Sequence, residues 1–482
     1  MSQETANTSN QEIIAYKDFQ DYRENYNNNL PDWACHYAKA SRIGTSHKSQ
    51  KYDLRLGYRT EFQRDRDDIL YSPSFRQLSY KRQMFSGQGK EYFFTRLTHT
   101  LIVAQIARSI ARALQLDEFL TEAIALAHDI GHSPYGHSGE DGINMFLNDI
   151  FFPKTLSIEK KEEIVKLTIQ ERIEKENEYN NSENKQSSLF SDVTPTLQNL
   201  EKLFYCIPSE SKIFDHHKQG YRLLKYLDKS ARGLELTLYT YYGILRSSGG
   251  EQDYKNFHLD YENISNDFAS YEVQVVRIAD DIAWTHHDLG WDLQTTGRTS
   301  VDALDDYFRM NGNDLTLLDV PYQDIREFLL LPRGEICGMF ISDIIERNKD
   351  KLRPKGFLKS EEEGGHSITL SSNMQKYLET LRNIVVHSIH ETKENIEISS
   401  QSKIRIKEIC EFLHKDENFI KYIDENWYFK RPIKSLSNLE KIRAICDFVS
   451  FMSDSKADNF YSNFIGPYRT PAILEKYYPL SE

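Results

Sequence analysis

Apolar residues return every three or four positions through the first third of the chain, a spacing that predicts helices. Between Arg96 and Leu114, Leu97, Leu101, Ala104, Ala107, Ala111 and Leu114 form one such stripe, as expected of a helix packed along a single face. Phe119 to His128 repeats the pattern, and Gly131 supplies a stop signal. Helical periodicity covers Phe62 to Leu147 and resumes in "QGYRLLKYLDK", "LTLYTYYGILR", "NMQKYLETLRNIVVHSIHETKENI" and "SKIRIKEICEFLHK". Alternating, strand-like runs are few and no internal repeat is present. The expected fold is therefore all-α, one large domain with peripheral helical insertions.

Two stretches break the pattern. Residues 1–50 are rich in Asn, Gln, Ser and Asp with interspersed aromatics, which predicts a polar N-terminal arm with short helices. Residues 154–202, including "ERIEKENEYNNSENKQSSLFSD", carry charge without core-forming material and read as an exposed insertion with helical parts. The core then spans 51–482 around that insertion and ends in a C-terminal helical region.

Composition narrows the function classes. The 482 residues carry a formal net charge of -13, so a polyanionic ligand must be drawn by a local basic patch or a metal rather than by the overall field. That acidity gives no support to a single-stranded-DNA groove. The five cysteines, Cys35, Cys206, Cys337, Cys410 and Cys446, are scattered without a C-x-x-C pair, which fits a reducing cytoplasm. The polar, acidic N-terminus lacks the regions of a signal peptide, and no apolar run approaches the roughly 18 residues that cross a bilayer, so no membrane partner is expected.

Candidate chemistry is concentrated in three places. "RLTH" carries His99, "ALAHDIGHSPYGHSGE" carries His128 and Asp129, and "VVRIADDIAWTHHDLG" carries Asp280. Imidazole nitrogen and carboxylate oxygen suit a divalent cation such as Mn, Mg or Fe. His99 lies near the start of its predicted helix and His128 and Asp129 near the end of the next, so antiparallel packing of the two would bring all three together. His387 and His390 have no carboxylate context and read as structural or surface residues, and at most one of the adjacent His286 and His287 can face a common site.

The H…HD…D pattern resembles the HD-domain phosphohydrolases. The likeness extends, in chain order, through "SPSFRQLSYKRQMF", "TRLTHTLIVAQIARSIARAL", "FDHHKQGYRLL", "LTLYTYYGILR", "YEVQVVRIADDIAWTHHDL" and "RAICDFVSFMSD" to the deoxyguanosine triphosphate triphosphohydrolase family, over roughly residues 55–460. The resemblance implies hydrolysis of a deoxynucleoside triphosphate, dGTP first, at the α-phosphorus to a deoxynucleoside and tripolyphosphate. It implies His99, His128, Asp129 and Asp280 as metal ligands. His132, His137 and Glu140 would flank the α-phosphate, with His137 managing the proton and Glu140 orienting it.

Arg96 matches the family's phosphate-contacting arginine, and Arg246 stands where the family usually carries lysine. Gln83, Trp284 and Asp288 match residues near the sugar, although the family typically has tyrosine at the position of Trp284 and often asparagine at that of His217. Homo-oligomers and a second nucleotide acting as an activator both occur in the family. The competing readings are another HD-type nucleotidase or phosphodiesterase, and a poorly active nucleotide-sensing or single-stranded-DNA-binding protein.

Overall fold

The computed structural model describes residues 18–32, 34–35, 57–83, 94–151, 213–228, 233–246, 270–287, 289, 299–310, 320–353, 366–423 and 436–466. Most of the predicted arm and the charged insertion at 154–202 lie outside them. The described residues are helical as expected, and their one β-type pairing is the isolated antiparallel bridge between Arg82 and Thr95. Among the described helices are α1 (Glu61–Leu70), α2 (Arg96–Ala113), α3 (Glu118–Ala127), α4 (His137–Phe151), α5 (Leu238–Arg246), α6 (Tyr271–His287), α7 (Ser372–Val385), α8 (Lys393–His414), α9 (Asn438–Ser450) and α10 (Asp454–Phe464). No described helix is long and apolar enough to cross a membrane. The chain gathers into two compact units made of interleaved segments: Met1–Ile130 with Gly220–Gly249 and Asp267–Ser399, and Gly131–Gln219 with Gly250–Asn266 and Ser400–Glu482.

The first unit is organised around α3. Every residue of this helix from Leu120 to Ala127 except Glu122 is buried, as a helix apolar on all sides requires, and α1, α2, α5 and α6 all pack against it. Gly243 lets α5 approach closely, because a Cβ there would lie 2.3 Å from the Ile124 side chain. Asp65 of α1 ties the chain ahead of α5 by accepting hydrogen bonds from the Thr237 amide (2.9 Å) and the Thr237 and Thr240 hydroxyls (2.6 and 2.7 Å).

One detail of the pattern needs correction. The buried face of α2 runs through His99, Thr100, Val103, Ile106, Ala107, Ile110 and Ala111, whereas Leu101 is 49% exposed. The helix is covered by both α3 and α6, so its buried surface is wider than the predicted stripe and is centred on the side that carries His99.

The second unit holds α4, α9, α10 and the C-terminal part of α8. Asn144 of α4 holds the segment leading to His216 with three hydrogen bonds and bonds once within its own helix. Its Oδ1 accepts from the Ile213 and Phe214 amides (2.8 Å each), and its Nδ2 donates to the carbonyls of Phe214 (2.8 Å) and Glu140 (3.1 Å). Behind that segment, buried Asp447 accepts from Arg443 and from Gln219 (3.0 Å), and Gln219 also donates to Ser450 (2.9 Å).

Asp117 caps α3 by accepting from the Phe119 and Leu120 amides at 2.9 Å each. It is fully buried. Desolvation raises its pKa from 3.8 to about 7, against the lowering effect of the Leu120 amide and with help from nearby Glu272. The unfolded carboxyl ionises first as pH rises, so the native state should lose stability across the window from the unfolded to the folded value and level off above about 7. Denaturant titrations of wild type and Asp117→Asn should therefore diverge, wild type losing ground between about pH 4 and pH 7. A difference that stays constant with pH would refute this.

Candidate metal centre and histidine cluster

In the first unit, His99 sits in the first turn of α2 and His128 caps the C-terminus of α3. The two helices run back along each other, which brings the imidazoles within 5.6 Å, centroid to centroid. His128 Nδ1–H donates to the Ala125 carbonyl at 2.6 Å, and that bond fixes the tautomer with its lone pair on Nε2. This buried Nε2 has no hydrogen-bond partner and lies 3.6 Å from both Asp129 Oδ1 and Asp280 Oδ1. His99 Nε2 approaches Asp280 Oδ1 at 2.8 Å. Ligand atoms of His99, His128 and Asp129 fall within 4.8 Å of one another, and α6 adds Asp280 from the other side.

The electrostatics follow from that crowding. Desolvation would lower the His128 pKa, but Asp129 and Asp280 raise it from 6.5 to about 9. Against desolvation, His128 and His99 hold Asp280 well below the ordinary carboxylate range. The site thus favours positive charge beside its carboxylates. A buried imidazole nitrogen aimed at two carboxylates, with the second imidazole alongside, fits a divalent cation bound by nitrogen and oxygen donors.

The other predicted residues of this unit are placed as follows. Arg96 Nη1 is 3.0 Å from Asp129 Oδ2, and both side chains are buried, so this arginine holds one oxygen of a proposed ligand. Gln83 is set beside the start of α2 by the bridge between Arg82 and Thr95 and by its own amide, which donates to the Phe94 carbonyl at 3.0 Å. Its Oε1 is buried without a hydrogen-bond partner.

Trp284, one turn beyond Asp280, is half-buried and outside the core. The Arg382 guanidinium of α7 lies 5.9 Å from its ring centroid, and Arg382 also pairs with Asp281 at 3.7 Å. His390, read from sequence as structural or surface, stands 5.6 Å from the Trp284 ring, while His387 is 2.9 Å from the Asn383 carbonyl. Arg246 ends α5, and its side chain, those of His286 and His287, and the whole of Asp288 lie outside the described residues.

The second unit contains the remaining predicted residues and one that sequence reasoning missed. His132, His137, Glu140 and His216 present ligand-type atoms within 4.8 Å of one another. The shorter contact to Glu140 comes from His216, whose Nδ1 is 2.9 Å from Oε2; His137 Nδ1 is at 3.4 Å. His216 also stacks on His132, with centroids 3.7 Å apart and an interplanar angle of 16°. Against desolvation, His216 and His137 keep Glu140 ionised well below its ordinary range. His137 itself is 70% exposed. The cluster can therefore anchor a carboxylate at its base and offer an accessible imidazole above it. The one signal for His216 in the sequence is the pair His216–His217 after Asp215; its approach to Glu140 comes from Asn144.

The HD domain family matches residues 96–189, and the phosphohydrolase-associated domain matches residues 368–463. The chain is similar to deoxyguanosinetriphosphate triphosphohydrolase-like proteins. It is 28% identical to one from Bartonella quintana (strain Toulouse), covering 84% of this chain and 89% of the relative. A second, from Desulfatibacillum aliphaticivorans, is 28% identical over 92% and 96%. A third, from Caldanaerobacter subterraneus subsp. tengcongensis, is 34% identical over about half of each chain, 52% and 51%. The HD match contains His99, His128, Asp129, His132, His137 and Glu140, while Asp280 and His216 join their clusters from outside it. The chain thus carries an HD domain on a helical fold and is similar over most of its length to deoxyguanosinetriphosphate triphosphohydrolase-like proteins, a combination that supports a metal-dependent phosphohydrolase.

Proposed function

We propose that this protein hydrolyses deoxynucleoside triphosphates, dGTP first, at the α-phosphorus, releasing the deoxynucleoside and tripolyphosphate in the cytoplasm. The observation that carries the reading is the convergence of buried His99, His128 and Asp129 with the half-exposed carboxylate of Asp280, in a chain whose relatives are named for that substrate. An Mn, Mg or Fe ion held by these four residues would neutralise phosphoryl charge. Arg96 fixes the Asp129 carboxylate through one of its nitrogens. Its buried Nε has no hydrogen-bond partner, which supports a role toward phosphate oxygens. Arg246 is proposed as a second cation for the triphosphate.

His137 handles the proton of the displacement, a task suited to imidazole near neutral pH, and Glu140 with His132 orients it. Gln83, Trp284 and Asp288 are assigned to the deoxyribose. A homo-oligomer and a second nucleotide as activator belong to the same reading, with single-stranded DNA as a partner left without support.

Three outcomes test this. Incubation with each dNTP and manganese or magnesium should yield tripolyphosphate by chromatography; pyrophosphate or monophosphate as the first product would instead favour another HD-type nucleotidase or phosphodiesterase.

Asp129→Ala should lose bound metal and turnover together, whereas His137→Ala should keep its metal and lose about 100- to 10,000-fold in rate. Equal metal loss in both proteins would remove the distinction between ligand and proton carrier.

Finally, an indole packed on C2′ leaves no partner for a 2′-hydroxyl, whose burial costs about 1–3 kcal/mol. Wild type should prefer dGTP over GTP by about one to two decades in kcat/KM, Trp284→Tyr should keep that preference, and Trp284→Ala should relax it. An unchanged ratio in a metal-loaded Trp284→Ala protein would place the indole outside sugar selection.

A further inference from the structure

Within the second unit, the loop between His132 and His137 contains two consecutive residues in the left-handed region, Tyr135 at φ 62° and Gly136 at φ 61°. Glycine adopts that conformation freely; tyrosine does so only when its surroundings hold it. Those surroundings are specific. The Tyr135 amide donates to Asp454 Oδ1 at 3.0 Å, and its hydroxyl donates to Asp458 Oδ1 at 2.6 Å. Arg405 of α8 pairs with Asp458, and its guanidinium lies 5.8 Å from the Tyr135 ring centroid and 5.3 Å from that of Tyr461.

Asp454 is buried, and Ser453 caps the helix it begins, α10, by accepting from the Lys456 amide at 3.0 Å. The aspartate is thus fixed by a whole helix rather than by a flexible side chain on a loop. On the loop itself, Ser133 Oγ donates to the Gly136 carbonyl and the Gly136 amide to the Ser133 carbonyl, each at 3.1 Å. The turn is therefore closed internally and gripped externally at one residue.

We propose that Asp454 and Asp458, with Arg405 behind them, form a positioning clamp that holds Tyr135 in its left-handed conformation and so sets where the His132 and His137 imidazoles stand. The backbone reversal at Tyr135 and Gly136 decides the direction in which the chain enters α4, and His137 is the first residue of that helix. Releasing Tyr135 would let the reversal relax and swing His137, whose mostly exposed ring meets His132 and His216 edge-on and Glu140 at 3.4 Å, contacts that would shift with it. None of the clamp residues belongs to any of the three histidine-containing clusters among the described residues, so their effect reaches the chemistry only through the loop. This assignment rests on the proposed role of His137 in dNTP hydrolysis.

The test compares Asp454→Ala, Asp454→Asn and Tyr135→Phe in the full-length, metal-loaded protein, by dNTP kinetics and by hydrogen exchange of the 133–137 segment. Displacing a reacting group by about 1 Å can cost about 100-fold. Asp454→Ala should lower kcat on that scale, with KM and bound metal unchanged and loop exchange faster. The asparagine variant, whose side-chain carbonyl still accepts from the Tyr135 amide, should recover most of the loss. Tyr135→Phe, which removes the hydroxyl's bond to Asp458 and the one it accepts from Arg405 but keeps the amide bond to Asp454, should show a smaller fall in kcat and leaves the proposal testable if the alanine variant does not fold.

Wild-type kcat in folded Asp454→Ala, a change in metal content matching the loss of rate, or an asparagine variant no better than alanine would each overturn the clamp. If wild type hydrolyses no dNTP, the substrate reading fails on its own. Hydrogen exchange then still decides the clamp, because unchanged protection of the loop in Asp454→Ala would refute it.

Discussion

Two carboxylates and two imidazoles concentrated against buried helix surfaces constitute the constraint on which the first unit depends. Removing charges from water is costly unless they are paired. Each here has a counterpart: Asp129 takes Arg96 on one oxygen and faces His128 with the other, while Asp280 meets His99 and His128. The pairing works only if α2, α3 and α6 keep their relative positions, since each contributes at least one of these groups. The all-round apolar character of α3, the close approach of α5 at Gly243 and the ties from Asp65 hold that arrangement.

The second unit solves a different problem. Its cluster has one carboxylate, Glu140, shared by two imidazoles, so the placement of that carboxylate is set by whatever fixes the segments around it. Asn144 fixes one segment with both its donor and its acceptor, and the Arg443–Asp447–Gln219 network fixes what lies behind. The loop ahead of α4 is fixed from α10. Rigid helices thus hold both ends of a short chain reversal, the usual way to give loop-borne groups a defined geometry.

The separation of buried from accessible groups gives the two clusters distinct chemical characters. In the first unit His99, His128 and Asp129 are almost wholly buried, and the electrostatic field there raises one imidazole to a pKa of about 9. That environment favours a cation. In the second unit His137 is largely exposed above a buried, ionised Glu140, an environment suited to proton exchange with a ligand or solvent.

The helical class, the boundaries of α2 and α3 within a residue or two, and the convergence of His99 with His128 and Asp129 were legible in the sequence, because apolar periodicity and helix-end placement are local properties of a chain. Asp280 stood out as a candidate carboxylate, but only family resemblance joined it to the other three, since 151 positions separate it from Asp129 and no local rule spans that distance. His216 was visible only as one of the adjacent pair His216–His217, with nothing to mark its partner. Its approach to Glu140 depends on a side chain, Asn144, whose hydrogen bonds cross a long stretch of sequence.

The exposure of Leu101 was likewise decided by tertiary packing, which covered α2 on more than one side and centred its buried face on His99. The sequence by itself determined which elements would form and which residue types could do chemistry. Only the tertiary structure decided which carboxylate each imidazole would meet, because a side-chain contact is a property of two surfaces and a sequence pattern describes one.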